Sequence, residues 1–520
     1  MKIYWNSATS GDFGTAGNWT PSAVPGAFDQ ALLTAAGTPY IVSVTSNQTV
    51  LTINTSADAN LDISGGITFT AEGGSGAGAN NGTIVAEDGS IFAMAGTVNN
   101  NGTIRIGGNS GGGVPDSGGG ATIILLGDTT LNGGVLTLLA GSSSENFIFG
   151  SGLLTNTGNS DINGAGEIHV PVDNKATVLP SGIFIPVIDG NSNANALKLL
   201  APVTNTGELL GESAAGLSIA NIVYNTGGLI EANGGLVSLD TGAMIIGGTL
   251  DDEGGTFSVV NASLDGGGTH PISLEGDISV AVSGKLFTQG AFKNPNGSLD
   301  LKDGSSLLLG FSNAPGIDTT FSGHDQIVLT NASIDRNPLT DLGTGPLKLN
   351  NVDEVMIGSG QIGSAATRAS FVVNNEKNGV IEAFGGNGLS IYSNVTNAGV
   401  LDATGGTLSL ASNVITNTFL VSNVITDIGS LKVDSGATIN LYNTTIRGGT
   451  LTGDGLFKVI GPTTILDGST APLNNQGDIA LFEGEGSTAE LEGTINNTGT
   501  SIWATSPGRV LTPDLTRQRC

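Results

Sequence analysis

A short phrase recurs along this chain: one or two asparagines, a glycine, any residue, then Ile, Leu or Val. It reads NNGTI ending at Ile84, with Asn81 and Gly82, and again ending at Ile104, with Asn101 and Gly102. It reads NTGEL ending at Leu209, with Asn205 and Gly207, and NTGGL ending at Leu229, with Asn225 and Gly227. NGSL ends at Leu299. NGVI ends at Ile381, with Gly379, and NAGVL at Leu401, with Asn397 and Gly399. Near the end come NNQGDI with Asn475 and Gly477, and NNTGTSI with Asn497 and Gly499. The key glycines keep one interval from Gly82 to Gly102, from Gly207 to Gly227 and from Gly379 to Gly399, and a slightly longer one from Gly477 to Gly499. That interval, about 20 residues, is the length of a solenoid repeat.

A second phrase keeps its distance from the first: IEANGG from Ile230, IEAFGG from Ile381 and LDATGG from Leu401. Alternating stretches follow it, LVSL, GLSI and TLSL, with the period of two that a strand requires. One coil therefore reads as strand, Gly-rich corner, strand, Asn-Gly corner. A coil this short cannot bury its apolar side alone, but parallel coils stacked at about 4.8 Å bury it against each other. Identical positions then superpose. Asn is expected to bond its amide to the Asn of the next coil and to tolerate left-handed backbone, and the Gly beside it to take the φ > 0 corner. The expected fold is all-β: a right-handed parallel β-helix (β-solenoid) of about 20 residues per coil. An antiparallel sandwich would need hairpin turns at short spacing and gives no reason for identical corners at a constant interval.

Composition agrees. Gly is 83 of 520 residues but follows no triplet, and Pro is only 17, which excludes collagen. Hydrophobic residues are 38% and aromatic ones 5%, so the core is expected to be thin layers of small aliphatic side chains. A net charge of −28 disfavours nucleic acid and anionic lipid as partners. The one cysteine, Cys520, rules out an intrachain disulfide or a Cys-based metal site. No apolar run is long enough for a transmembrane helix, so no membrane insertion is expected from this chain. The start lacks the apolar core of a signal peptide, so an export signal, if used, lies elsewhere.

An exposed end layer needs a cap. Residues 1–30, which hold Trp5 and Trp19, read as an N-terminal cap whose large rings cover an open core; a sugar-stacking pair is the alternative. Residues 31–505 read as the solenoid, and 506–520, where the repeat is lost, as a tail. EGDISV from Glu275 matches QGDIAL from Gln476, and INGAGEI from Ile162 matches IGSGQI from Ile357. These two long, similar offsets imply two diverged super-modules. Stretches 73–82 and 107–120 read as loops.

Signals for chemistry are sparse. Asp251-Asp252-Glu253 is the one acidic triplet and reads as a solvated corner. Lys285, Lys293 and Lys302 are loosely spaced and read as surface charges. His169, His270 and His324 fit no metal frame. The GG pairs lack the following helix of a nucleotide loop. The 17 Phe residues read as core rather than as sugar platforms. The threonines of TFT at Thr68–Thr70 are isolated, which counts against an ice-binding ladder. No catalytic, cofactor or metal residues are assigned.

The opening WNSATSGDFGTAGNWTPSAVPGAFDQALL, with GGTLTGDGLFKV, LNNQGDIAL and LEGTINNTGTSI, resembles repeat regions of large exported proteins of Gram-negative bacteria. These are autotransporter passengers and type I-secreted adhesins. The resemblance runs to about Trp503. It implies a right-handed β-helix at the cell surface or outside the cell, contacting glycans or proteins of a host or neighbouring cell. The chain departs from that pattern in lacking a translocator barrel and the GGxGxDxUx nonapeptides that bind Ca²⁺, so no cofactor is assigned and calcium has no motif here. The functional expectation is a structural, adhesive, non-catalytic solenoid. The alternative is a polysaccharide-cleaving lyase or hydrolase on the same scaffold, which needs acidic and basic side chains clustered across three or more coils.

Overall fold

The computed structural model describes residues 1–73, 79–108, 120–139, 145–179, 182–192, 194–312, 314–341, 345–421, 424–481, 487–498, 502–504 and 512–513. The tail assigned to 506–520, including Cys520, lies almost wholly outside the described residues, as do Gly499 and most of the two Gly/Ser-rich stretches. The chain is all-β, with one 3₁₀ turn at Ala16–Asn18 and a long, mostly parallel sheet of the β-solenoid kind. It divides into two compact units, Met1–Ser258 and Val259–Cys520.

In the N-terminal unit each coil supplies one strand to each of three rows. The first row holds Gln30–Leu33, Thr52–Thr55, Ala79–Asn80, 97–100, 129–132, 154–157, Val172–Lys175, Val203–Asn205, Ile222–Tyr224 and Met244–Ile246. The second runs from Tyr40–Val44 through Thr83–Ala86, Thr103–Ile106 and Val187–Gly190 to Gly248–Asp251. The third runs from Gln48–Val50 through Phe147–Gly150 and Gly166–Ile168 to Leu236–Leu239. The C-terminal unit repeats the three-row plan: Leu347–Asn351 pairs with Phe371–Asn375 in one row, and Val355–Ile362 pairs with Val380–Ala383 in the second and with Leu389–Ile391 in the third.

Pairing sets the register. Ile84 pairs with Ile104, Val203 with Val223 and Ile381 with Leu401, each at the same interval as the glycines of the repeated phrase. Elsewhere the interval is shorter, as from Leu154 to Val172, or much longer, as from Thr97 to Thr130, because length is added between strands without breaking the rows. Among the described residues antiparallel strand pairs are Lys2–Trp5 with Trp19–Thr20 and two hairpins, Thr177–Leu179 with Gly182–Phe184 and Thr418–Val421 with Val424–Ile428, beside an isolated bridge from Asn233 to Gly254.

Alternation decides which side chains enter. Leu236–Leu239 and Ser306–Leu309 alternate half-buried and buried along the strand. Aliphatic residues stack inward coil on coil, each contributing about 1.5–3 kcal/mol when fully buried. Larger rings sit at particular layers. Phe292 stacks on Phe321 at 5.0 Å. At the start of the chain Trp5 meets Trp19 at 5.0 Å, Trp19 meets Phe13 at 4.8 Å and Phe13 meets Phe69 at 5.5 Å. Both indoles are buried. Their N–H groups donate to Thr9 O and Phe13 O, so neither ring presents a face to a ligand.

Candidate functional site

The asparagines divide into an inner and an outer set. The inner set forms ladders of buried amides. Asn156 Nδ2 donates to Asn174 Oδ1 (2.9 Å), Asn174 to Asn205 (2.8 Å) and Asn205 to Asn225 (2.7 Å). In the other unit Asn351 donates to Asn375 (2.9 Å), Asn375 to Asn397 (2.8 Å) and Asn397 to Asn417 (2.8 Å). Later in the chain the buried Asn475 donates to Asn497, which is exposed, at 2.7 Å. These amides also reach backbone carbonyls, such as Leu229 O from Asn205 and Ser430 O from Asn397. Each rung is thus an uncharged buried polar group with partners, which is what burial requires.

The structure places the first NNG phrase differently. The buried pair is Asn80 and Asn100, bonded at 2.8 Å. Asn81 and Asn101 point outward and bond each other on the surface at 2.9 Å. Both strands end on the buried asparagine, which stands two residues before the glycine, as Asn205 stands before Gly207. At Gly379 the ladder member is Asn375, four residues earlier.

The glycines correct a second expectation. Of Gly82, Gly102, Gly207, Gly227, Gly379, Gly399 and Gly477, only Gly227 has positive φ (80°). The others are glycine for want of space. A Cβ on Gly82 would lie 2.2 Å from Ala59 O, and one on Gly102 2.1 Å from Gly82 O. The corner backbone of one coil rests directly on that of the coil before it.

Outside the core, three features of the N-terminal unit gather functional side chains. The first is a concave groove of about 620 Å³ on the outer side of the first row, lined by Thr97, Asn101, Thr130, Asn132, Thr157, Asn159 and Phe184 over Gly133, Gly134 and Gly158. Thr97 pairs with Thr130 and Thr130 with Thr155, while Asn99 pairs with Asn132 and Asn132 with Thr157. The register slips between Asn132 and Gly134, a bulge that re-aims these side chains. Phe184 arrives at the end of the hairpin that follows Val172–Lys175.

The second is a charged and aromatic patch on the third row. Phe147 stacks on Phe149 at 5.1 Å, and Phe149 lies 4.4 Å from the His169 ring. His169 Nε2 is 2.8 Å from Glu167, and Lys198 Nζ is 2.9 Å from Glu167 and 2.7 Å from Glu145. Burial disfavours the Glu167 carboxylate, but hydrogen bonds with Lys198, Glu145 and His169 outweigh it and hold its pKa at about 2. The hydrogen bond to Glu145 raises Lys198. The sequence reading missed this patch because Glu145, Glu167 and Lys198 come from separate coils. Phe149, like Phe28 and Phe384, is exposed, which corrects the reading of phenylalanine as core throughout.

The third is an acidic column on the second row. Asp189 is 5% exposed, and burial followed by the charges of Glu212 and Asp161 pushes its pKa up to about 7. Burial also raises Asp161 and Glu231, the latter beside Asp251, which opens the acidic triplet. Among the described residues no group of three or more His, Cys, Asp or Glu is arranged to hold a metal ion.

Of the remaining candidates, His324 pairs with Asp353 at 3.0 Å and Lys302 with Asp300 at 2.9 Å. Lys285 and Lys293 are exposed. The three histidines are not brought together. Protein-family models give no match to this chain, and neither do the curated proteins.

Proposed function

We propose that this chain is a right-handed parallel β-helix with coils of about 20 residues, capped by residues 1–30, that serves as an adhesive, non-catalytic scaffold at the cell surface or outside the cell. Right-handedness is the rule for crossovers between parallel strands. The observation that carries the functional reading is the outward polar stacking. Asn101 on Asn81, Asn132 on Asn99, Asn374 on Asn350 and Asn496 on Asn474 each bond at 2.8–3.1 Å, coil to coil. Each pair repeats one chemistry from coil to coil, so weak contacts to a repetitive surface partner, glycan or protein, add through avidity.

One observation favours the alternative of a polysaccharide-cleaving enzyme. Glu145, Glu167, His169 and Lys198 cluster across successive coils beside exposed rings. Proton transfer works best from a group titrating near the working pH. Glu167 near 2 and a raised Lys198 are instead held as an ion pair, which supports the non-catalytic reading. The test is a screen of the purified chain on immobilised polysaccharides and matrix proteins, run with an assay for released sugar ends. Saturable retention without release is expected. Release that disappears in Glu167→Gln refutes the scaffold reading in favour of the enzyme.

A further inference from the structure

We infer that the groove on the first row of the N-terminal unit is a binding site for a neutral oligosaccharide, an assignment that rests on the adhesive reading and gives one of its contacts a ligand class. Three properties of the groove converge. It is concave and about 620 Å³, the size of small-ligand clefts. Its polar lining is made of hydroxyls and amides, with Thr97, Thr130 and Thr157 beside Asn101 and Asn132, and among the described residues no charged side chain lines it. In a chain of net charge −28, that stretch of surface selects for an uncharged partner. The next coil adds Asp173 against Thr155 and Lys175 against Thr157, charges of opposite sign that leave the local balance near zero.

The third property is the one aromatic wall, Phe184. A pyranose ring is apolar across its C–H face and polar around its rim, so it fits a phenyl face on one side and amide or hydroxyl groups on the other. A side-chain amide offers two donors and a two-lone-pair acceptor. The Asn132 contact to Asn99 uses one donor, at 3.1 Å. Asn132 itself lines the groove. Successive coils repeat these groups about every 4.8 Å, close to the advance per sugar of an extended chain, so neighbouring coils address neighbouring sugars. A peptide is a poorer fit. Backbone pairing is taken up coil to coil in this row, and the groove has no apolar pocket beyond the single ring.

The test titrates the full chain with cellohexaose, chitohexaose and maltohexaose by calorimetry at low and high salt, and repeats it with Phe184→Ala and Thr130→Val. At least one hexaose is expected to bind with an affinity that salt leaves unchanged. Each variant is expected to weaken it, Phe184→Ala by about tenfold or more, with thermal melting as in the parent. If Phe184→Ala lowers the melting temperature, Thr130→Val, which keeps shape and loses a hydroxyl, decides. Absence of binding to all three hexaoses, equal binding by parent and Thr130→Val, or binding abolished by salt overturns the assignment. Retention of parent and variants alike on polysaccharide or matrix surfaces would leave the scaffold reading standing while the groove assignment falls. A chain that adheres to nothing defeats both.

Discussion

Asn374 and Asn375 are neighbours in one strand that face opposite ways, and they make a matched pair for testing the inner ladder. Asn375 is 1% exposed. Its Nδ2 donates to Asn397 Oδ1 at 2.8 Å, Gly379 O at 3.0 Å and Val400 O at 3.2 Å, and its Oδ1 accepts from Asn351 at 2.9 Å. Asn375→Ala removes these contacts and leaves Asn397 Oδ1 and Val400 O short of a buried donor. At about 1–3 kcal/mol for each of the two orphaned groups, the local cost is about 2–6 kcal/mol. Asn374 donates outward to Asn350 at 2.8 Å, where water replaces a lost partner, so Asn374→Ala costs about 0.5–1 kcal/mol. Coils of a solenoid open locally, so the assay is native-state hydrogen exchange over Leu347–Asn351, Phe371–Asn375 and Asn394–Asn397. The exchange-derived opening energy of these strands should fall by several kcal/mol in Asn375→Ala and barely move in Asn374→Ala. Equal losses in the two variants would refute the claim that the buried rungs hold the coils together.

Further outcomes follow from the same geometry. Glu354 is fully buried, and burial, reinforced by the charges of Asp353 and Asp325, raises its pKa to about 7 against the hydrogen bond from Asn294. Its folded form binds the proton more tightly than the unfolded one, so its contribution is complete below about pH 4.5 and is lost as pH rises through about 7. The urea-derived unfolding free energy of the C-terminal unit should drop across that window by up to about 3 kcal/mol, and Glu354→Gln should flatten the profile. Asp189→Asn should raise the stability of the N-terminal unit at mildly alkaline pH, where the parent carries a buried charge beside Glu212 and Asp161, and should change little in acid; thermal melts at the two pH values check this. Gly102→Ala should disrupt its coil, because the new Cβ meets Gly82 O at 2.1 Å, whereas Gly227→Ala enters open space and should cost only about 1–2 kcal/mol for its positive φ. Melting temperatures of the two variants separate crowding from backbone strain.

Much of the scaffold was legible because a stacked coil writes its period into the chain. The constant interval of the glycines reappears as the pairing of Ile84 with Ile104 and Ile381 with Leu401. Strand alternation marked the inward aliphatic residues for the same local reason. The inward asparagine of an NNG pair was missed although the NTG phrases carry the signal: Asn80 and Asn100, like Asn205 and Asn225, stand two residues before their glycine, and a shift of one residue exchanges the two faces. The reason for corner glycine was hidden: the phrase is the same whether a positive φ or a crowding carbonyl demands it, and only the neighbouring coil tells Gly102 from Gly227.

The candidate sites lay further out of reach. Thr97, Asn132, Thr157 and Phe184 come from successive coils, and so do Glu145, Glu167 and Lys198. No local spacing rule joins them, because their proximity depends on how much chain each coil adds between strands, and that length varies from coil to coil. The sequence by itself determined that this chain stacks parallel coils around an aliphatic interior with amide corners, since periodicity and alternation are local properties. Tertiary structure alone decided which outward residues meet, because stacking turns residues distant in the chain into neighbours one strand spacing apart.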